Sequence, residues 1–188
     1  MRTLVLSNQI TYEQTKLLLD SLYRLSNQVA FHVPNYFTIS LSEHNSKIHT
    51  QISRLATQPD IQDNKYLVYL ESVNPFLLQI QKNIVEIKDD VCFLGQVFQY
   101  TTKKYLLRFD DVLLNYLKVK KSLYDWDYPV SPVDLSFLHN GRCILQTIAH
   151  EKYSCLYVSD NSLINALRDS GIQFYYDHST TGDIPSWE

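Results

Sequence analysis

The chain has 188 residues, with 17 basic and 20 acidic side chains, a formal net charge of −3, 45% hydrophobic residues and 13% aromatic ones. That length and hydrophobic fraction support a real core in one α+β domain or two small ones, and the acidic balance makes a nucleic-acid partner unlikely on charge grounds. Gly95, Gly141, Gly171 and Gly182 are the four glycines. They cannot build a glycine-rich phosphate cradle, and no G-x-S-x-G elbow, Walker loop or dinucleotide fingerprint is present, which excludes most common nucleotide enzymes.

The opening "MRTLVLSNQITYEQ" carries one positive charge and no more than three apolar residues in a row, too few for a signal-peptide core. No apolar run approaches a membrane span, so the expectation is a soluble protein of the cytoplasm. "TLVLS" reads as a short strand. In "TYEQTKLLLDSLYRLSN", Thr11 followed by Gln14 matches a capping box, and Leu18, Leu22 and Leu25 recur at helical spacing, predicting a helix over about 11–26. "QVAFHV" is a strand stopping at Pro34, and "YFTISL" is another beyond the turn. Ser42 opens a helix over about 43–57 carrying Ile48, Ile52 and Leu55, and "QPDIQDN" is a polar loop.

"KYLVYLES" is a strand. "NPFLLQIQKNI" is ambiguous: Pro75 suits a first helical turn, but the run is short. "VCFLGQVFQY" and "KKYLLRF" read as strands. "DDVLLNYLKVKKSLYDW" reads as a helix with Asp110 and Asp111 in its first turn and Lys118, Lys120 and Lys121 in its last, matching the helix dipole. "DYPVSPVD" is the best internal boundary, dividing an N-terminal α+β part (1–124) from a C-terminal module (125–188); the two may equally form one continuous domain.

Asn140-Gly141 between two strand-like runs is a strong signal for a hairpin with a type I′ turn, which needs positive φ at both central residues. A second turn at "AHEK" completes a three-stranded meander. "DNSLINALRDSGI" is a short helix with Asp160 as cap and Gly171 as stop, and "IQFYYD" is a last strand before an aperiodic tail. The fold class is α+β: a mixed, largely antiparallel sheet with several packed helices, ending in a meander, a helix and a strand. The early strand-helix alternation leaves room for one parallel pair.

Chemistry is sparse. Cys92, Cys143 and Cys155 lie in apolar runs without a C-x-x-C pair, the pattern of buried free thiols, and the six histidines have no zinc-like spacing. No catalytic residue, metal site or cofactor is assigned. His150-Glu151 falls short of a zincin motif because Ser154 stands where the second histidine is required. Residues 103–125 hold six positive charges (Lys103, Lys104, Arg108, Lys118, Lys120, Lys121) against three negative ones, open to an anion or to a structural use. Residues 126–188 hold eight acidic side chains against three basic ones. Of the 14 tyrosines, those in this acidic module suit a binding surface, because the phenol is an apolar ring with a polar tip.

The segment "VDLSFLHNGRCILQTIAHEKYSCLYV" resembles the C-terminal part of small bacterial proteins in which a "DLxF…NG…HE" pattern precedes a short helix and a last strand; some of these are similar to immunity proteins of bacterial toxin systems. The resemblance covers about a quarter of the chain and implies a non-enzymatic binding protein of the bacterial cytoplasm. The expected partner is a basic protein such as a toxin, met by Asp134, His150, Glu151, Tyr153, Tyr175, Tyr176 and Asp177. Alternation places Tyr175 and Tyr176 on opposite faces, so one of the two should matter. The alternative is a hydrolase or transferase with a site near His139, His150 and Glu151.

Overall fold

Local signals set the first elements. The computed structural model describes residues 2–34, 73–94, 98–127, 131–158 and 161–177; the strands expected at 36–41 and 65–72, the helix at 43–57, the loop between them, Asp160 and the tail lie outside these. Strand β1 is Arg2–Leu6, followed by helix α1, Tyr12–Leu25. Thr11 caps α1 with the expected reciprocal box: its hydroxyl accepts from Gln14 N at 3.2 Å, and Thr11 N donates to Gln14 Oε1 at 3.0 Å. The amide of Gln14 also donates to the carbonyls of Ser170 and Gly171 at 3.2 and 3.0 Å, so one side chain starts α1 and satisfies the end of a distant helix.

Strand β2 (Gln28–Pro34) follows, then residues 73–79 form helix α2 with Pro75 in its first turn, and a 3₁₀ turn at Gln81–Asn83 leads into β3, Ile84–Leu94. "VCFLGQVFQY" is therefore not one strand: β3 ends at Leu94 and β4, Phe98–Arg108, begins four residues later and pairs back on it. Helix α3 spans only Asp111–Leu117, with Asp110 as N-cap. The expected longer helix gives way because Leu123, Tyr124 and Trp126 are buried in the core, which requires the chain to leave the helix axis; a 3₁₀ turn, Leu123–Asp125, carries them inward. Lys118 is the C-cap and pairs with Asp20 of α1, and Lys120 lies 5.7 Å from the Trp126 ring centroid. Lys103 pairs with Asp89 at 3.2 Å, so much of the basic segment is tied into the fold.

The C-terminal elements are β5 (Val133–His139), β6 (Arg142–Ile148), β7 (Tyr153–Val158), α4 (Ser162–Asp169) and β8 (Phe174–Asp177). Asn140 (φ 50°) and Gly141 (φ 79°) make the type I′ hairpin turn. Helix α4 is N-capped at Asn161, without a side-chain hydrogen bond, rather than at Asp160. It ends as expected at Gly171 (φ 70°): Gly171 N donates to the Arg168 carbonyl and Ile172 N to that of Leu167, both at 2.9 Å. This is a Schellman stop with its Leu167–Ile172 apolar pair buried.

The eight described strands form one sheet in the order β3-β4-β2-β5-β6-β7-β1-β8, and among the described residues every pair is antiparallel. The fold is α+β. The boundary expected at 124/125 falls inside this sheet, since β2 hydrogen-bonds β5 and β1 lies between β7 and β8. Period-two alternation gives the sheet two unlike faces. Leu4, Leu6, Phe31, Leu107, Phe137 and Leu156 pack into one core with Leu18, Leu22, Leu113 and Leu163 of the helices. Each such burial contributes about 1.5–3 kcal/mol. The other face carries the residues one position out of phase.

Candidate functional site

The sheet face opposite Leu4, Phe31 and Phe137 is where the chain's remaining chemistry collects. Register fixes who meets whom. Val5 of β1 lies opposite Cys155 on β7 and opposite Tyr175 on β8. The neighbours of Val5, Leu4 and Leu6, belong to the core, so Val5, Cys155 and Tyr175 point to the opposite side. Tyr153 and Tyr157 share that side with Cys155, since they lie two residues away along β7. Tyr176 is opposite Leu4 and faces the other way, with its ring 6.1 Å from that of Phe174. The expected alternation of the two tyrosines holds.

Where β1 ends and β7 and β8 begin, these residues line an open groove of about 490 Å³. The lining takes Val5, Leu6 and Ser7 from β1 and its end, Tyr153 from β7, Tyr175 from β8, and Glu151 and Lys152 from the turn before β7. Across β1, Tyr175 is level with Val5 while Tyr153 lies two residues further along, level with Ser7, so the two tyrosines are set diagonally, roughly 12 Å apart. Tyr175 is 60% exposed. Burial, reinforced by the neighbouring Cys155, Asp177 and Tyr175, pushes the Tyr153 phenol up to about 12, so its hydroxyl keeps its proton at neutral pH.

The turn that carries Glu151 is strained and is held by two hydrogen bonds, Lys152 N to the Ala149 carbonyl at 3.0 Å and Ala149 N to Asp134 Oδ1 at 2.9 Å. It is a 3₁₀ turn, Ala149–Glu151, ended by Lys152 in the left-handed region (φ 50°, ψ 40°). Asp134, also left-handed at φ 57°, accepts from Ala149 N at 2.9 Å. Non-glycine residues there cost energy and persist only where the surroundings hold them. Asp134 is thus a positioning residue for the turn rather than an exposed contact, and burial raises its carboxyl above the usual range despite that hydrogen bond. His150 and Glu151 are exposed and 3.7 Å apart. His139 lies at the opposite end of β6 from His150, beside the type I′ turn and paired with Arg142. The seven-residue strand between them separates the two histidines by about 20 Å, so the structure does not gather His139, His150 and Glu151 into one site.

A second cluster had no signal in the sequence. His32 of β2 reaches over β4 to Asp90 of β3, with Nε2 to Oδ2 at 3.1 Å. Burial lowers the imidazole below its ordinary value against the opposing pull of Asp90, so the neutral ring donates from Nε2 and leaves Nδ1 bare. That atom is buried and has no hydrogen-bond partner among the described residues. Lys104 and Asp134 act on the same ring electrostatically. The thiols of Cys143 and Cys155 are free and buried, and burial pushes Cys143 up to about 12, which leaves it without thiolate character. Among the described residues no cluster of His, Cys, Asp or Glu has the form of a metal site, and no helix is long and apolar enough to cross a membrane.

The fold and site together define an α+β protein with an antiparallel sheet, the described helices packed against one face, and a groove lined by Tyr153 and Tyr175 at the strand ends. No protein-family model, no curated protein and no solved structure matches the chain.

Proposed function

We propose that the chain is a non-enzymatic binding protein, an immunity protein of the bacterial cytoplasm that neutralises a basic toxin by covering its active surface. The observation that carries this reading is the groove, in which Tyr153, Tyr175 and Glu151 come together from two strands and a turn. Tyrosines in a concave, partly desolvated surface are the side chains most often responsible for protein affinity. The acidic excess of residues 126–188 supports a basic partner, since opposite charge steers encounter and suppresses wrong partners. The resemblance of residues 133–158 to immunity-like proteins supports the same reading.

The test is co-expression with a basic toxin encoded beside the gene. The wild-type chain should restore growth and co-purify with the toxin, and the double variant Tyr153→Ala/Tyr175→Ala should do neither while keeping its circular-dichroism spectrum. Full protection by the double variant would remove the groove from the interface. Absence of binding by the wild-type chain would remove the immunity reading itself.

A further inference from the structure

The turn between β5 and β6 carries a reactive bond. Asn-Gly is the dipeptide in which a backbone nitrogen most readily attacks the preceding side-chain amide, because glycine puts no Cβ in the way. Here Asn140 (φ 50°) and Gly141 (φ 79°) fill the two central positions of the type I′ turn, and Asn140 is exposed to water. No heavy atom outside the neighbouring residues lies within 4 Å of a Cβ position on Gly141, so bulk does not shield the bond. Two side chains from the start of β2 hold it instead. Gly141 N donates to Gln28 Oε1 at 3.0 Å. The Asn27 side-chain amide grips Asn140 twice: its Oδ1 accepts from Asn140 N at 3.0 Å, and its Nδ2 donates to Asn140 Oδ1 at 2.8 Å. Both side chains are anchored by the sheet. Asn27 N donates to the Leu138 carbonyl and Phe109 N to the Asn27 carbonyl, each at 3.0 Å. Gln28 pairs with Leu138 of β5 on one side and with Arg108 of β4 on the other.

We infer that Asn140 is a latent deamidation site, kept closed by Asn27 and Gln28. In the reaction Gly141 N gives its proton to base and attacks Cγ of Asn140. The new N–Cγ bond closes a succinimide ring, and the side-chain nitrogen leaves as ammonia. Water then opens one of the two ring carbonyls, giving aspartate at 140 or its isomer linked through the side chain. Only water and base are consumed, with no oxidant or reductant. The hydrogen bond to Gln28 opposes the first step, because it stabilises the protonated nitrogen and leaves an acceptor facing the anion once the proton is gone. The Asn27 amide opposes the second. It draws Asn140 Oδ1 toward the group that binds Asn140's own N–H, so swinging Cγ onto Gly141 N must break that bond. The two products differ in their effect. Aspartate tolerates positive φ and keeps the turn. The isomer adds a carbon to the main chain inside a two-residue loop whose type and length set the β5–β6 register. The damage falls at the His139–Arg142 end of the hairpin, at the other end of β6 from the groove, and is independent of what the groove binds.

The experiment holds the full chain in mildly alkaline buffer and follows the peptide that contains Asn140 by mass spectrometry, with the same chain unfolded in guanidinium as the unprotected reference. Folded wild type should deamidate much more slowly than the reference. Gln28→Ala should speed the folded reaction about fivefold, the equivalent of one hydrogen bond of about 1 kcal/mol. Gln28→Glu keeps an acceptor for Gly141 N and should react no faster than wild type. Asn27→Ala/Gln28→Ala should be faster than Gln28→Ala. Urea well below the unfolding transition should leave the wild-type rate unchanged, because the opening that matters is local to two side chains. Circular dichroism confirms that each variant is folded. If the double variant unfolds, the contrast between Gln28→Ala and Gln28→Glu still decides the question. Equal rates in folded and unfolded wild type, an unchanged rate in Gln28→Ala, Gln28→Glu as fast as Gln28→Ala, a folded double variant no faster than Gln28→Ala, or a wild-type rate that climbs with urea would overturn the assignment.

Discussion

On the helix-covered side of the sheet Leu4, Phe31, Phe137 and Leu156 are at most 1% exposed, while on the other side Tyr175 is 60% exposed and His32, Lys104, Asp134 and Tyr153 stand on the same strands. The two faces alternate residue by residue, so they share every backbone hydrogen bond and differ only in side chains. The two faces divide the labour. The face under the helices carries the larger core, while the other face holds a small buried apolar cluster, Ala30, Leu106 and Leu138, beside the strained turns, titratable groups and the exposed Tyr175 ring. The groove sits at the ends of β1, β7 and β8.

The sharpest way to break this comparison is to damage each face by one side chain. Phe137→Ala should destabilise the fold by about 3–5 kcal/mol, since the ring is fully buried among Phe109, Val29 and the helices and leaves a cavity. Tyr175→Ala should change stability by less than about 0.5 kcal/mol. Urea unfolding of the two variants checks both; a large loss from Tyr175→Ala would make the groove part of the core rather than a site. Next in size is Gly141→Ala, expected to cost about 1 kcal/mol or more. No heavy atom lies within 4 Å of the added Cβ, so the whole effect must come from φ 79°, and an unchanged melting curve would mean that the turn relaxes.

The polar face should also show itself through pH. Burial lowers the His32 pKa, so the folded state favours the neutral ring. Its contribution is present above the unfolded value near 6.5 and is lost as pH falls through the folded value. His32→Gln should therefore flatten the loss of stability on mild acidification, measured by thermal melts across that range. Asp134 works with the opposite sign. Its carboxyl is raised, so ionisation at neutral pH opposes folding. Asp134→Asn keeps an acceptor for Ala149 N and a residue tolerant of positive φ, and should be slightly more stable than wild type at neutral pH. That advantage should shrink as pH falls through the carboxylate range, and a growing advantage would contradict the assignment. Smallest of all in stability, Cys143 and Cys155 should resist alkylation in the folded chain and react once it is denatured, as mass spectrometry of labelled peptides would show.

Much of the fold was legible because several of its devices are local. The Thr11–Gln14 box, the Asn140-Gly141 turn, the Gly171 stop and the opposed faces of Tyr175 and Tyr176 each depend on residues no more than a few positions apart, where hydrogen-bond geometry and backbone sterics decide. The same locality explains why α3 was read too long: Lys118, Lys120 and Lys121 satisfy a helix dipole on paper, but the burial of Leu123, Tyr124 and Trp126 is a tertiary demand and it wins. Of the expected contacts, Glu151, Tyr153 and Tyr175 meet in one groove, whereas Asp134 turns inward to hold the 149–152 turn.

What the sequence alone determined, then, is the set of turns, caps and alternations, together with the acidic and tyrosine-bearing character of the last third of the chain. The tertiary structure decided which strands are neighbours. Nothing between Arg2 and Leu6 announces that β1 will lie between β7 and β8, more than 150 positions away, or that His32 will reach Asp90 across an intervening strand. Strand pairing offers nearly the same hydrogen bonds in many arrangements. The choice among them is made by burying one continuous apolar face, and only the folded chain as a whole can do that.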